Sequence, residues 1–176
     1  KLMGHISHHV PGVEFSTGSL GHGLPVACGM AVAAKRAGKT HRVFCLMSDG
    51  DCDEGSSWEA MLFAAQHQLD NLTVIVDYNR VQALGKVGDV LELEPFSAKV
   101  RDFGWEPREV DGHDVEQLDR ELSQVPWAPG KPSWLICHTT KGKCVDWMEG
   151  TVACHYGSVT DEELARALEM VGCEPS

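Results

Sequence analysis

The 176-residue chain has no C-x-x-C pair, no excess of basic side chains, and no apolar run near the ~20 residues of a membrane span. Each absence removes a class of function. The seven cysteines, Cys28, Cys45, Cys52, Cys137, Cys144, Cys154 and Cys173, are odd in number and scattered. That argues against a disulfide framework or a four-cysteine zinc site and points to a reducing, cytoplasmic compartment. Cys28, Cys45 and Cys137 lie in apolar runs and read as small core residues. Cys144, Cys154 and His155 could share a metal, but structural zinc ligands pair more tightly. Lys plus Arg number 15 against 26 Asp plus Glu, a formal charge of −11. That balance argues against binding DNA or RNA through a basic face, although a local site for a phosphorylated ligand stays open. Neither G-x-x-x-x-G-K-[ST] nor a post-strand G-x-G-x-x-G occurs, which disfavours a plain nucleotide-binding domain. No signal-peptide pattern opens the chain, and its first residue is Lys1. Motif-like sequence begins almost at once, so a natural N-terminal segment is expected to precede it.

What is there is ordinary globular composition, 43% hydrophobic and 23% charged. Residues 1–176 read as one domain, burying roughly 70% of the unfolded surface. The first 20 residues look like loop, and 21–37 form a small-residue helix that packs closely against a neighbour. Apolar strands are expected at 42–47, 72–76 and 134–138, with a further strand at 106–110. Helices are expected at 56–69, 95–103, 115–125 and 160–171. Ser56 and Thr160 serve as caps, with Glu59 and Glu163 three residues on. The helix at 56–69 would bury Trp58, Met61, Leu62, Ala65 and Leu69. Residues 78–94 and 139–159 read as loops. Continuous apolar strands alternating with helices predict an α/β fold, a doubly wound and mostly parallel sheet with helices on both faces. In such folds ligands bind beyond the carboxyl ends of the strands.

One turn concentrates charge there. Asp49, Asp51, Asp53 and Glu54 fall within six residues and repel unless a cation is near. The next strand ends at Asp77, Tyr78 and Asn79. If the two strands are neighbours, about 4.8 Å apart, Asp49 and Asn79 face one crevice. A carboxylate and an amide oxygen are hard ligands suited to Mg2+ or Ca2+. Gly50 lets a backbone N–H approach an anion, and the helix opening near Ser56 aims its N-terminus there. The site suits a metal-bound diphosphate.

These residues resemble the thiamine-diphosphate motif: S-D-G at 48–50, E-G-S-S-W-E-A at 54–60, and Asn79 thirty residues after Asp49. With Gly4-His5, PGVEFSTGSLGHGLPVACGMAVA at 11–33, THRVFCLMSDG, GWEP and TTKGK in order, most of the chain resembles the diphosphate-binding module of transketolases. The resemblance implies metal ligation by Asp49, Asn79 and the Val81 carbonyl. It implies cofactor contacts from Gly18, Leu20, Asp49, Gly50, Asp51, Asn79 and His155. His5 and His155 match active-site histidines, and Glu54 and Glu59 match carboxylates that link the two active sites of a dimer. Ser48 stands where the family has glycine, His22 stands where Gln is common, and the family's longer upstream segment carries a further diphosphate-binding histidine.

The implied activity is transfer of a two-carbon ketol unit between sugars or sugar phosphates, with thiamine diphosphate and Mg2+ or Ca2+. Only one of the family's two domains fits in this length. The expectation is therefore a split enzyme whose C-terminal, pyrimidine-domain subunit completes a heterotetramer. Other thiamine-diphosphate enzymes (deoxyxylulose-phosphate synthases, 2-oxo acid dehydrogenase components) and a non-catalytic, partner-binding relative stay open. Among other residues, His8 and His9 read as loop, His113 as a cap, and Trp58 and His67 as packing groups. Trp105, Trp127, Trp134 and Trp147 read as core or interface anchors. Lys141 and Lys143 read equally as phosphate contacts or a solvated pair.

Overall fold

The computed structural model describes residues 5–172; Lys1, Gly4 and Cys173 lie outside them. After a loop, α1 (Gly23–Arg36) leads to β1 (Val43–Ser48), a 3-10 turn (Asp49–Asp53), α2 (Gly55–Gln66) and β2 (Leu72–Tyr78). A small hairpin of β3 (Val81–Gln82) and β4 (Gly85–Lys86) and a one-turn α3 (Val87–Val90) follow. Then come α4 (Phe96–Asp102), β5 (Glu106–Asp111), α5 (Val115–Ser123), β6 (Ser133–His138) and α6 (Asp161–Met170). The main sheet is parallel throughout, in the order β1-β2-β6-β5. The chain passes from β2 to the far edge and returns to fill the middle with β6, the reversal expected of a doubly wound sheet.

Side-chain alternation assigns the two faces. Val43, Cys45, Met47, Val74, Val76, Trp134 and Ile136 share one face with α1, α2 and α4, and this is the main core. Trp105 and Trp134 meet edge to face there at 5.2 Å, both fully buried. Such a pair contributes about 0.5–1.5 kcal/mol beyond its buried area. Cys28, Cys45 and Cys137 are buried free thiols, as their apolar neighbours lead one to expect, and so is Cys52 in the acidic turn. The opposite face carries only a small cluster of Val110, Leu135 and Cys137 beneath Leu118, Leu122 and Trp127. Helices thus lie on both faces, but unequally: on edge strand β1, Phe44 and Leu46 remain 44% and 69% exposed.

Three local expectations are corrected. The cap of α2 is Glu54, without a side-chain cap bond, because Ser56 Oγ donates to the Gly21 carbonyl instead. The capping box sits one element earlier, where Ser48 and Asp51 bond reciprocally around the 3-10 turn. The inward stripe of α2 is Ser57, Ala60, Met61 and Ala64, and Leu62 faces out at 58% exposure. The reason is close packing on α1: Cys28 Sγ reaches the Ala60 carbonyl at 3.6 Å, an approach open only to small side chains. Residues 78–94 are not all loop, since the hairpin and α3 interrupt them. Thr160 caps α6 with Glu163 as expected. Among the described residues, no helix is long and apolar enough to cross a membrane.

Candidate functional site

The register of β1 on β2 pairs Ser48 with Asp77, so the turns after both strands open at the same sheet end. Asp49 begins the first turn and is only 2% exposed. Its Oδ2 accepts the Arg80 N–H at 2.7 Å, which ties the first turn to the second, one residue from Asn79. Burial, and to a lesser degree the nearby Asp77 carboxylate, pushes the Asp49 carboxyl up to about 6, against the Arg80 and Gly50 N–H bonds and the Lys141 charge. A buried anion facing a second carboxylate is a site that a cation completes. Asn79 Oδ1 accepts the Val81 N–H at 2.9 Å, and its amide lies 3.4 Å from Asp77 Oδ1. Thr139 Oγ1 also donates to Asp77, bringing the loop after β6 to the same place. Lys141 on that loop acts electrostatically on both Asp49 and His155. Burial and then Lys141 hold the His155 imidazole below its usual range.

Gly50 is buried beside Asp49. A methyl group placed on it would lie 3.4 Å from Leu20 Cδ1, 3.7 Å from Ser48 Oγ and 4.0 Å from Gln82 Cβ. These are ordinary contacts, so packing within the chain does not demand glycine. Glycine keeps the turn's backbone clear of a side chain, which suits an anion approaching its N–H. Gln82, whose Cβ is the third of these neighbours, is buried, and its Nε2 has no hydrogen-bond partner among the described residues. An amide left so costs about 1–3 kcal/mol. A buried carboxylate, an adjacent amide, a glycine that internal packing does not demand and an unpaired donor fit a metal-bound diphosphate.

The expected residues divide into groups. Asp49, Gly50, Asn79, Val81 and Leu20 meet at the strand ends. His5 is exposed and lies against Gly18, its Cδ2 3.4 Å from where a Gly18 Cβ would stand. Asp51 turns inward: its carboxylate takes the Gly21 N–H at 2.9 Å and both the N–H and hydroxyl of Ser48 at 3.0 Å. Glu54 and Glu59 open α2. Glu59 lines a groove of about 450 Å³ between α1 and α2, with Pro25, Cys28, Gly29 and Phe63. His155 is exposed on a short 3-10 turn, Ala153–His155. Among the described residues, Cys144, Cys154 and His155 form no metal-holding group. His113 Nε2 accepts the Thr140 N–H at 2.8 Å and so braces the loop that carries Lys141.

Sequence reasoning missed Gly21. Its φ is +75°, and a methyl group there would meet Ser56 Oγ at 2.5 Å and Glu54 Cβ at 2.6 Å. Its N–H donates to Asp51 and its carbonyl accepts from Ser56, so it stitches the 18–21 loop to the acidic turn. Gly21→Ala is expected to destabilise the protein by ~2–4 kcal/mol, from the left-handed backbone and the overpacking together. At about 2–4 °C per kcal/mol for a domain this size, a thermal melt checks it. An unchanged melting temperature would count against the stitch.

The chain's similarity to known proteins follows the same residues. Residues 1–176 match the family model described as transketolase, thiamine diphosphate binding domain. The chain is 43% identical over 170 residues to an apulose-4-phosphate transketolase subunit from Actinobacillus succinogenes, covering 96% of this chain and 61% of that protein. It is 38% identical over 151 residues to the 6-deoxy-6-sulfo-D-fructose transketolase subunit SqwG of a Clostridium species, covering 86% of this chain and 55% of that one. Among solved structures, transketolase from Campylobacter jejuni superposes with a TM-score of 0.86 at 35% identity, over 94% of this chain and 27% of that one. The chain thus spans about three-fifths of the length of the curated relatives it matches. The fold, the acidic turn at the strand ends and these likenesses agree: the chain belongs to the transketolase family, as its thiamine-diphosphate-binding domain.

Proposed function

We propose that this chain is the diphosphate-binding part of a split, Mg2+-dependent transketolase that transfers a two-carbon ketol unit from a ketose to an aldose. What carries the reading is the buried Asp49, tied through Arg80 N–H to the turn that bears Asn79 at the end of the neighbouring parallel strand. Both curated relatives described above are named as subunits of a transketolase, which supports a separate partner chain. That partner would be a pyrimidine-domain subunit, the assembly a heterotetramer, and the compartment the cytoplasm. Sugars or sugar phosphates are the substrates.

Asp49, Asn79 and the Val81 carbonyl would hold Mg2+, with Ca2+ as a substitute. The Gly50 N–H would meet the diphosphate, and Gly18 and Leu20 would flank the aminopyrimidine. Thiamine diphosphate, when bound, supplies the carbon nucleophile and the electron sink. Asp51 would keep the turn in shape rather than touch the cofactor by its side chain. Lys141, from the loop after β6, would add a cation toward the diphosphate, and its charge adds to burial in lowering the His155 imidazole. His5 and His155, both exposed, would move protons at the sugar hydroxyls, as imidazoles can near neutral pH. Glu54 and Glu59 would join this chain to the partner's active site.

The test is reconstitution. Full-length chain, partner subunit, thiamine diphosphate and Mg2+ together are expected to give ketol transfer, and omission of any one to abolish it. Activity without the partner would overturn the split reading. Full assembly without cofactor binding would favour a non-catalytic relative.

A further inference from the structure

Gln82 follows Val81 in β3, faces the opposite way from it, and is 9% exposed. Buried polar atoms in folded proteins almost always have partners. Beside the acidic turn Ser57 Oγ donates to the Asp51 carbonyl at 2.6 Å, Trp58 Nε1 to the Cys52 carbonyl at 2.8 Å, and Ser56 Oγ to Gly21. Two buried atoms here lack a partner: Asp53 Oδ1, an acceptor, and Gln82 Nε2, a donor. Other unpaired buried atoms, such as Ser133 Oγ and Trp134 Nε1, belong to the core strand β6. Gln82 instead borders Gly50, at the spot where a glycine side chain is missing without a packing reason. An unpaired, buried N–H donor next to Gly50 calls for an acceptor that arrives with a ligand. A carboxamide is also the right donor for this place. It brings N–H groups toward an anion without adding charge next to the metal ligands.

We propose that Gln82 is a cofactor-binding residue: its carboxamide donates to a diphosphate oxygen of thiamine diphosphate seated over Gly50. The assignment rests on the cofactor site proposed above and deepens it. Gln82 is then the second protein donor to that group from the turn region, opposite the Gly50 N–H, and it fixes the diphosphate between β3 and the acidic turn. Leu20 Cδ1, 3.4 Å from where a Gly50 Cβ would stand, borders the same point.

The experiment uses the full-length chain assembled with its partner, and it has two readouts. The first is the Kd for thiamine diphosphate by calorimetry at saturating Mg2+. The second is the melting temperature without cofactor. Gln82→Met keeps the shape and removes the donor, and Gln82→Glu replaces the donor by an anion. Gln82→Met is expected to weaken binding about 10- to 100-fold, the range of a hydrogen bond to a charged group, and Gln82→Glu to weaken it further. The cofactor-free melting temperature of Gln82→Met is expected to equal or exceed that of the parent, because no satisfied bond is lost. Parent-like affinity in Gln82→Met, while Asp49→Asn no longer binds, overturns the Gln82 assignment and leaves the site standing. Parent-like affinity in both overturns the site itself. A lower cofactor-free melting temperature in Gln82→Met makes the residue structural and also overturns the assignment.

Discussion

Asp49→Asn is expected to cost at least ~100-fold in Mg2+-dependent affinity for thiamine diphosphate while raising the melting temperature of the cofactor-free protein above pH 7. The two effects have one cause. Asp49 is buried, and its carboxyl sits at about 6 rather than at the ordinary 3.8. A carboxyl whose folded value is raised adds stability below about pH 4, where it is neutral in both states. It loses that contribution as pH climbs through 6. Two units correspond to about 3 kcal/mol at most. The cofactor-free protein is therefore expected to soften between pH 4 and 7, and Asn at this position removes the softening. Asn forfeits part of the bonding to the Arg80 and Gly50 N–H groups, about 1 kcal/mol. The net gain is about 2 kcal/mol, or roughly 4–8 °C. Metal binding reverses the sign, because the cation draws its main attraction from the carboxylate's negative charge, which neither the protonated acid nor the amide carries; affinity should fall as pH drops below 6 and protons compete. Calorimetry and melts at pH 5, 6 and 8 read both. An Asn variant that melts lower and still binds would remove Asp49 from the site.

Why so much of this site was legible follows from what it is made of. A buried parallel strand must be apolar nearly throughout, so RVFCLM, LTVIV and WLICH announced β1, β2 and β6 within about two residues. Their polar ends, Asp49 and Asn79, then had to lie at the same edge of the sheet. What the pattern hid was decided between small or distant groups. Ala60 and Ala64 give little hydrophobic signal, yet their size lets α2 approach α1, which turns Leu62 outward. Ser56 looks like a cap until Gly21 offers its carbonyl from 35 residues away. Gln82 falls in a stretch that reads as loop, and only burial next to Gly50 exposes its missing partner. The bare face of β1 was invisible for the same reason: alternation tells which side chains share a face, not what covers it.

Leu62→Glu and Phe63→Glu are each expected to weaken association with the partner subunit at least 30-fold. Leu62 is 58% and Phe63 44% exposed on α2, and Met30 on α1 is 39% exposed. Phe63 also lines the groove that holds Glu59. Apolar side chains this large, exposed on two packed helices, are unusual on a free surface and usual at the centre of an interface. Glu59 and Glu54 are the carboxylates read as links to the second active site, so the occupant that fits is the pyrimidine-domain subunit. Truncating such an anchor typically costs 2 kcal/mol or more, a factor of about 30. A buried unpaired Glu adds its own desolvation penalty. Because both positions are solvent-facing in this chain, the substitutions should leave its own melting temperature within ~2 °C. Val115→Glu on α5, 74% exposed on the opposite face of the sheet, is the control and should leave association unchanged. Sedimentation of the mixed subunits measures all three. Parent-like association in the α2 variants, with loss in Val115→Glu, would move the partner to the other face of the sheet.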